Sequence, residues 1–497
     1  MRLPFPIAQG FYVDESIPIA AKRCTNFHVH IPQTKTITDG ALIGSAGIDF
    51  ALDEYSVVSL RGHHVMAGVV YFIKDNQLYS LTYTEDTFGV RTYTETPLDV
   101  VTIILGSDPV IMKDNGIELL IVAPDYADQH NAWIYNSGSG VMSQISDVDF
   151  DGQVNYATYM AGFFVFLKKD SNKFFCSDLR QGLVYDALDF ANAESDPDNL
   201  VAAEPLNGVL YLFGTTTCEQ WYIPGSTGSG FPFVKATSGT IQKGCTAPRS
   251  LAPFTMLSDT GETADCLIWI GAGKNEKPAI WATTGGAPKK ISTPAIDVLI
   301  NSGGIENLAL AYQCNWSSRG HSFITFTVPD VCCVQYDSTT GLWATRESKF
   351  DGNVIPWRVG GLVTAYDVQI VSDSLDGRLG IMDDEIYTEY GENIASYFVA
   401  PAFDNGGKPF TVNSVELMME TGTCPIGATP EMRISISSDG GRTFSPDISV
   451  EMGGTGEYER RLMWDMLGRY DRTFILRGDI DEPIKKVIVK AEIDIAS

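Results

Sequence analysis

Short apolar runs, each answered across a polar turn by a second apolar run, recur along most of the chain. VVYFIKDNQLYSL (residues 69–81) is the cleanest copy, two strand-length stretches of branched and aromatic residues around a KDN turn. Further copies lie at 118–136, 163–179, 209–223, 266–283 and 322–337, with a weaker one at 362–383. The first four begin at residues 69, 118, 163 and 209. A period of roughly 40–50 residues built from strand pairs marks a β-propeller, one repeat per four-stranded blade. The pattern predicts a closed ring of six or seven blades over residues 49–390. Residues 1–48 read as Pro-separated extended pieces. They predict an N-terminal arm that lies across the ring or supplies its closing strand.

From about residue 396 the pattern changes to separate alternating strands, among them FTVNSVELMMETG, EMRISISSD and KKVIVKAEIDI. These predict a C-terminal β-sandwich over residues 391–497. In KKVIVKAEIDI, Val487, Val489, Ala491, Ile493 and Ile495 share one face. Lys486, Ile488, Lys490, Glu492 and Asp494 share the other, so a half-buried strand is expected. The chain as a whole reads as all-β. Its best helix candidate is the acidic insertion at 187–200. The longest loop, residues 224–244, is rich in Gly, Ser and Thr and is anchored by Phe231, Phe233 and Val234. Loops of that length are usually functional or interfacial.

Composition narrows the class. The chain has 497 residues, 44% of them hydrophobic, with 47 Gly and 24 Pro, which suits turn-rich β structure with sizeable cores. No window approaches the roughly 18 apolar residues that a membrane span needs, so no membrane insertion is expected. The start of the chain lacks a continuous apolar core. A secretory signal is therefore not expected, and synthesis in the cytosol is. The nine cysteines are scattered, odd in number and without a CxxC pair, which fits reduced, buried thiols.

The net charge is −27. Residues 396–497 carry 16 acidic and 11 basic side chains, leaving −22 on the part before them. An acidic body does not bind nucleic acid by neutralising phosphates. It either stays soluble through self-repulsion or offers DNA a surface to pass without sticking.

Candidate chemistry is sparse. SSDGGRTFS matches an Asp-box through Ser437, Asp439, Gly441, Thr443 and Phe444. The Asp is expected to accept backbone N–H bonds, the Gly to take positive φ and the aromatic to anchor the turn, so the motif is structural. Arg2-Leu3-Pro4 loosely echoes a sialidase motif, but such a site also needs an arginine cluster and an activated Tyr beside a carboxylate. His28 and His30 alternate onto one face of a strand, as two metal ligands would, without a third ligand at a telling distance. No catalytic, cofactor or metal site is assigned. Trp221, Trp269, Trp281, Trp316, Trp343 and Trp357 read as blade-packing residues.

Several collinear stretches go further. They include RGHHVMAGVVYFIKDNQLYSL, FCSDLRQGLVYDALDFANAESDPDNLVA, FGTTTCEQWYIPGSTGSGFPFVKATSGTIQKGC, YDSTTGLWATR and SSDGGRTFS…RRLMWDMLGRYDRTFILR. As a set, from about residue 20 onward, they resemble the packaged-DNA-stabilisation, or tail-hub (nozzle), proteins of short-tailed phages of the P22 type. The resemblance implies a structural virion protein without enzyme activity, made in the host cytoplasm and built into the tail. It implies a homo-hexamer beneath the portal-adaptor (head-to-tail) protein that retains packaged DNA. That ring would form the ejection conduit for double-stranded DNA, without binding it specifically. It would also carry the tail needle or plug and the tail fibre or tailspike.

Arg460, Arg461, Arg469 and Arg472, interleaved with Trp464 and Tyr470, are the first candidate interface, since Arg and Trp are favoured anchors. Phe231 and Phe233 in the long loop are the second. The competing expectation is a glycan-binding or sialidase-like propeller, on the Asp-box and the tryptophans.

Overall fold

A computed structural model describes residues 1–17, 19–52, 60–194, 196–225, 230–257 and 262–496. Five consecutive four-stranded antiparallel sheets follow one another along the chain, over residues 60–98, 111–144, 154–192, 200–241 and 252–290. Each is a blade. Its first strand lies innermost and touches the first strand of the next blade, except that blade five meets blade six through the turn before it. A sixth blade is built from Tyr312–Ser318, His321–Val328, Cys332–Asp337 and Leu342–Thr345.

The seventh blade has only three strands from its own stretch, Val359–Ala365, Val368–Asp373 and Leu379–Asp383. Its fourth is Gly47–Phe50, paired antiparallel from Gly380↔Phe50 to Asp383↔Gly47. The ring is therefore a seven-bladed propeller, closed by a strand that precedes the first blade by sequence. Closure is tight. A Cβ on Gly47 would meet the Ile386 and Thr388 carbonyls at 2.4 Å. At the seam, Tyr366 donates to the Leu81 carbonyl at 2.5 Å and accepts from the Val70 N–H, tying blade seven to blade one.

The sandwich has two sheets. One orders Phe27–His30, Ala41–Gly44, Val487–Ala496, Phe410–Met419 and Leu462–Tyr470, with Arg2–Phe5 also paired to Val487–Ala496. The other orders Ala21–Thr25, Ser396–Val399, Thr473–Ile480, Glu431–Ser437 and Ile448–Glu451. Phe27, Phe398, Phe410, Met432, Trp464 and Leu476 fill the space between them. The second sheet runs on into blade six, because Thr25 lies parallel to Thr345 while Arg23–Thr25 pair with Val399–Tyr397.

Asn26 holds that junction. Its backbone is left-handed, at φ +53°. Its Nδ2 donates to the Glu347 carbonyl at 2.9 Å and the Ala395 carbonyl at 2.7 Å, and its Oδ1 accepts from the Glu347 N–H at 3.0 Å.

Two local expectations change. Residues 187–200 do not form a helix. Gln181–Asn192 is the outermost strand of blade three, interrupted where residues 186–189 stand opposite Cys176 alone. The helices lie instead at Pro294–Ile300 and Gly304–Ala309. The first starts at an N-capping Thr293 with Pro294 behind it, a start signal legible in ISTPAID. In the last strand the alternation slips. A register shift between Met418 and Met419 turns Ile488 into the core with Ala491, Ile493 and Ile495, and leaves Val487 and Val489 only half-buried. All nine cysteines are free and buried.

Asn26→Ala removes three bonds from the buried junction and puts a Cβ-only residue at positive φ. We expect a loss of about 3 kcal/mol. Calorimetry is expected to show the single unfolding transition of the parent splitting into two as propeller and sandwich uncouple.

Candidate functional site

The propeller bore is a natural place to look for function, and its lining is paired. Lys113, on the inner strand of blade two, reaches past blade three. It donates to both carboxylate oxygens of Glu204 in blade four at 2.8 Å. His64 of blade one meets Asp114 of blade two at 2.6 Å, and Asp114 is held below the usual carboxylate range despite its burial. Side chains two blades apart touch here, so the bore is closed at this level to anything as wide as a duplex. One mouth is lined by Pro205, Asn207, Thr255, Asn315 and Gln369, with Asp265 as the ionisable residue there. The acidic excess therefore does not line this axis.

A second cluster lies where the arm meets blade six. His28 and His30 do point the same way, toward His321. His30 Nδ1 lies 3.0 Å from His321 Nε2, and His321 Nδ1 lies 2.7 Å from Asp337 Oδ2. The groups form a line of hydrogen bonds. Among the described residues no set of three or more converges as metal ligands do. Burial, then His321, push the His28 pKa down to about 3, with Arg346 and His30 adding and Asp337 opposing.

Blade seven holds Arg358, Arg378, Asp373, Asp376, Glu389 and Tyr390, the residue types a sialidase site would need. They are buried. Arg358 is bonded to Asp373 and lies 3.4 Å from Asp376, and Trp357 donates to Glu389 at 2.9 Å. Burial and the neighbouring acids push the Tyr390 pKa well up, the opposite of activation. Of the six tryptophans considered, Trp221, Trp269, Trp316, Trp343 and Trp357 are buried, and Trp281 lies half-buried under Lys243 at 4.4 Å.

The Asp-box forms as a turn. Asp439 accepts from the N–H groups of Arg442 and Thr443 and from the hydroxyls of Ser437 and Thr443, at 2.6–3.0 Å. The Gly441 N–H donates to Ser437 Oγ at φ +93°. The bonds from Thr443, then Ser437, hold the Asp439 pKa far below the usual carboxylate range. Phe444 is only half-buried, so the turn is held mainly by its own hydrogen bonds.

The candidate interface residues separate. Trp464 is 2% exposed in the sandwich core and donates to the Ile448 carbonyl at 2.9 Å. Tyr470 packs on Phe410 and Phe474. Phe233 is buried and Phe231 half-buried against Phe174 of blade three. These four serve the cores of this chain, Trp464 and Tyr470 from the inward face of a strand and Phe231 and Phe233 by packing of the loop on Phe174. Residues 226–229 of the same loop lie outside the described residues. Arg460, Arg461, Arg469 and Arg472 are at the surface. Arg461 grips Glu416 through two bonds at 2.7 and 2.8 Å, and Arg460 lies 3.9 Å from Glu451. Among the described residues Arg469 and Arg472 make no ion pair. Sequence reasoning missed two residues beside them, the exposed Met463 and Met466.

A seven-bladed propeller whose bore is lined by paired side chains, continuous by hydrogen bonds with a sandwich, defines an all-β scaffold. Two family models match it in chain order: Bacteriophage P22 Gp10, beta-propeller, over residues 3–387, and Bacteriophage P22 Gp10, beta-sandwich, over residues 396–496. The chain belongs to the P22 Gp10 family of phage tail hub proteins, and its place is the virion tail. Tail hub protein gp10 of Salmonella phage P22 is 21% identical over 343 residues, covering 67% of this chain and 69% of that protein. Among solved structures, the computationally designed Ika8 protein has a TM-score of 0.38 at 12% identity, covering 68% of this chain and 99% of its own. The N-terminal domain of Nup159 has a TM-score of 0.37 at 9% identity, covering 71% and 97%. Likenesses this low carry no argument. No helix among the described residues is long and apolar enough to cross a membrane.

Above about pH 6.5 His28 is neutral folded and unfolded and does not affect stability. Below it, the unfolded chain binds a proton that the folded chain refuses until about pH 3. Stability therefore falls with acid, by up to about 1.4 kcal/mol per pH unit from this group. His28→Phe is expected to flatten the fall in urea midpoint between pH 6.5 and 4.5 and to change little at pH 7.5. Asp439→Ala is expected to open the turn. Limited trypsin digestion would show cleavage after Arg442 while the propeller stays intact.

Proposed function

We propose that six copies of this chain assemble as a ring below the portal-adaptor of a short-tailed phage. The ring retains packaged DNA and forms the ejection conduit. It also anchors the needle and the fibres or spikes. The observation that carries this reading is the ordered match of both parts of the chain to the P22 Gp10 family. The paired, closed bore supports it further. If DNA passes this protein, it passes between copies and not through a propeller. The role is structural and non-enzymatic in this reading, and the chain works as an arm, a propeller to about residue 390 and a sandwich beyond.

Six copies carry a charge of about −160. Acidic surface facing a central opening repels phosphates and lets a duplex slide. At physiological salt, charges more than about 8 Å apart are largely screened. The contacts that hold the ring are therefore local ones, carried by specific pairs and apolar patches.

Quantitative mass spectrometry of purified particles tests this, counting the chain against portal and major capsid protein. About six copies per particle are expected. Absence from particles overturns the assignment, and a copy number that is not a multiple of the tail symmetry overturns the ring.

A further inference from the structure

Two sheet edges of this chain are bulged and exposed, one carrying carboxylates and the other arginines that make no ion pair among the described residues. The first is Gln181–Asn192, outermost in blade three. Tyr185 pairs with Ser177 and Phe190 with Phe175, so residues 186–189 bow out of the ladder. An Asx turn shapes the bow, with the Leu188 N–H donating to Asp186 at 2.9 Å. Leu188 stands at its tip, 78% exposed, beside the exposed Leu183, Val184 and Phe190. Asp186 and Asp189 flank it and make no ion pair among the described residues. Burial raises the Asp189 pKa, and the like charges of Asp186 and then Asp178 add to the rise.

The second edge is Leu462–Tyr470, outermost in the first sandwich sheet. Here Gly468 pairs with Val412 and Asp465 with Ser414, so Met466 and Leu467 oppose Asn413 alone. Met466 sits at the bulge with φ +59° and is 93% exposed. Arg469 and Arg472 lie beyond it with no ion pair among the described residues. Asp465 and Asp471 share this edge and balance the two arginines in formal charge, so the pairing must come from position and not from net charge.

These edges cannot meet within one chain. The sandwich is joined to blade six, through Thr25 beside Thr345, and is tied nearby by the Lys349–Asp481 ion pair. In a ring of seven, blade three lies three places from blade six one way and four the other, on the far rim. Complementary patches at opposite ends of one molecule make a head-to-tail contact, which closes into a ring when the rotation per copy allows. A bulge on each edge also blocks open-ended strand pairing and directs association to side chains.

We propose that the Leu188 bulge of blade three docks against the Met466 bulge of a second copy, with Asp186 and Asp189 facing Arg469 and Arg472. The proposal rests on the ring reading above. It adds which surfaces make the ring.

The test uses the full chain and charge exchange. Asp186→Arg with Asp189→Arg, and separately Arg469→Asp with Arg472→Asp, are each expected to abolish assembly seen by mass photometry and incorporation into particles. A chain carrying all four changes is expected to recover both. Far-UV circular dichroism and the unfolding midpoint confirm that each variant folds. In a second measurement, Leu188→Cys with Met466→Cys is treated with a short bis-maleimide. The native cysteines are all buried, so the two introduced thiols are the accessible pair. A ladder of linked copies is expected from the double variant and none from either single one.

Multiple copies per particle without a ladder, or charge-reversed chains that assemble like the parent, overturn this interface and leave the ring standing. Cross-linking by Leu188→Cys alone points to a two-fold contact and overturns it as well. A single copy per particle overturns the ring reading itself.

Discussion

One stretch of chain, residues 21–50, is shared by two bodies, and the rest of the structure depends on it. Ala21–Thr25 sits in a sandwich sheet with Ser396–Val399 while its last residue lines up beside blade six. Asn26 then bonds the backbone of both sides at once. One hairpin later, Gly47–Phe50 completes the seventh blade. A propeller closed by its own consecutive strands would leave the sandwich as an appendage on a linker. Here the strand order makes sandwich and ring one continuous hydrogen-bonded framework, which suits a structural part of a virion tail.

The same constraint shapes folding. Apart from two local hairpins, the strands of the first fifty residues find their partners more than three hundred residues later, and the N-terminal ammonium rests on Asp494 at 2.7 Å. Contacts so distant in sequence are slow to form because loop closure must precede them. Blades one to six are local meanders and have no such requirement. The physical expectation is a ring that forms blade by blade and locks last, when the arm is captured between blades six and seven and the sandwich.

How much was legible follows from period and parity. Each hairpin repeat announces itself because a half-buried strand must alternate and a blade must repeat. The closing strand was legible as a role but not as a register, since GIDF has no pattern that names its partner. Leu462 and Trp464 alternate with Met463 and Asp465, so the inward course of Trp464 was present in the sequence and outweighs the interface preference of tryptophan. Two signals defeat parity. The acidic stretch of blade three reads as a helix because Asp, Ala and Leu recur there, yet a paired strand with a bow accommodates the same residues. Ile488 reads as exposed under strict alternation, but Val489 of its own strand stands unpaired between Lys490 opposite Met418 and Ile488 opposite Met419, which shifts the phase by one. Proximity across the fold was beyond reach in another way. Nothing in the spacing of His30 and His321 says that they touch.

Charge supplies the last step. The propeller holds most of the acidity, but its bore is neutral by pairing, with Lys113 on Glu204 and His64 near Asp114. The unpaired carboxylates therefore lie on outer strands and loops, where copies or DNA would meet them. Identical acidic bodies repel at long range, so random encounter is discouraged and a contact must bring its own cation into register. An edge carrying arginines without an ion pair among the described residues is thus worth more on this protein than on a neutral one. It is a place where a second copy lowers the electrostatic energy of the first, and it lies at the opposite end from the carboxylates that need it.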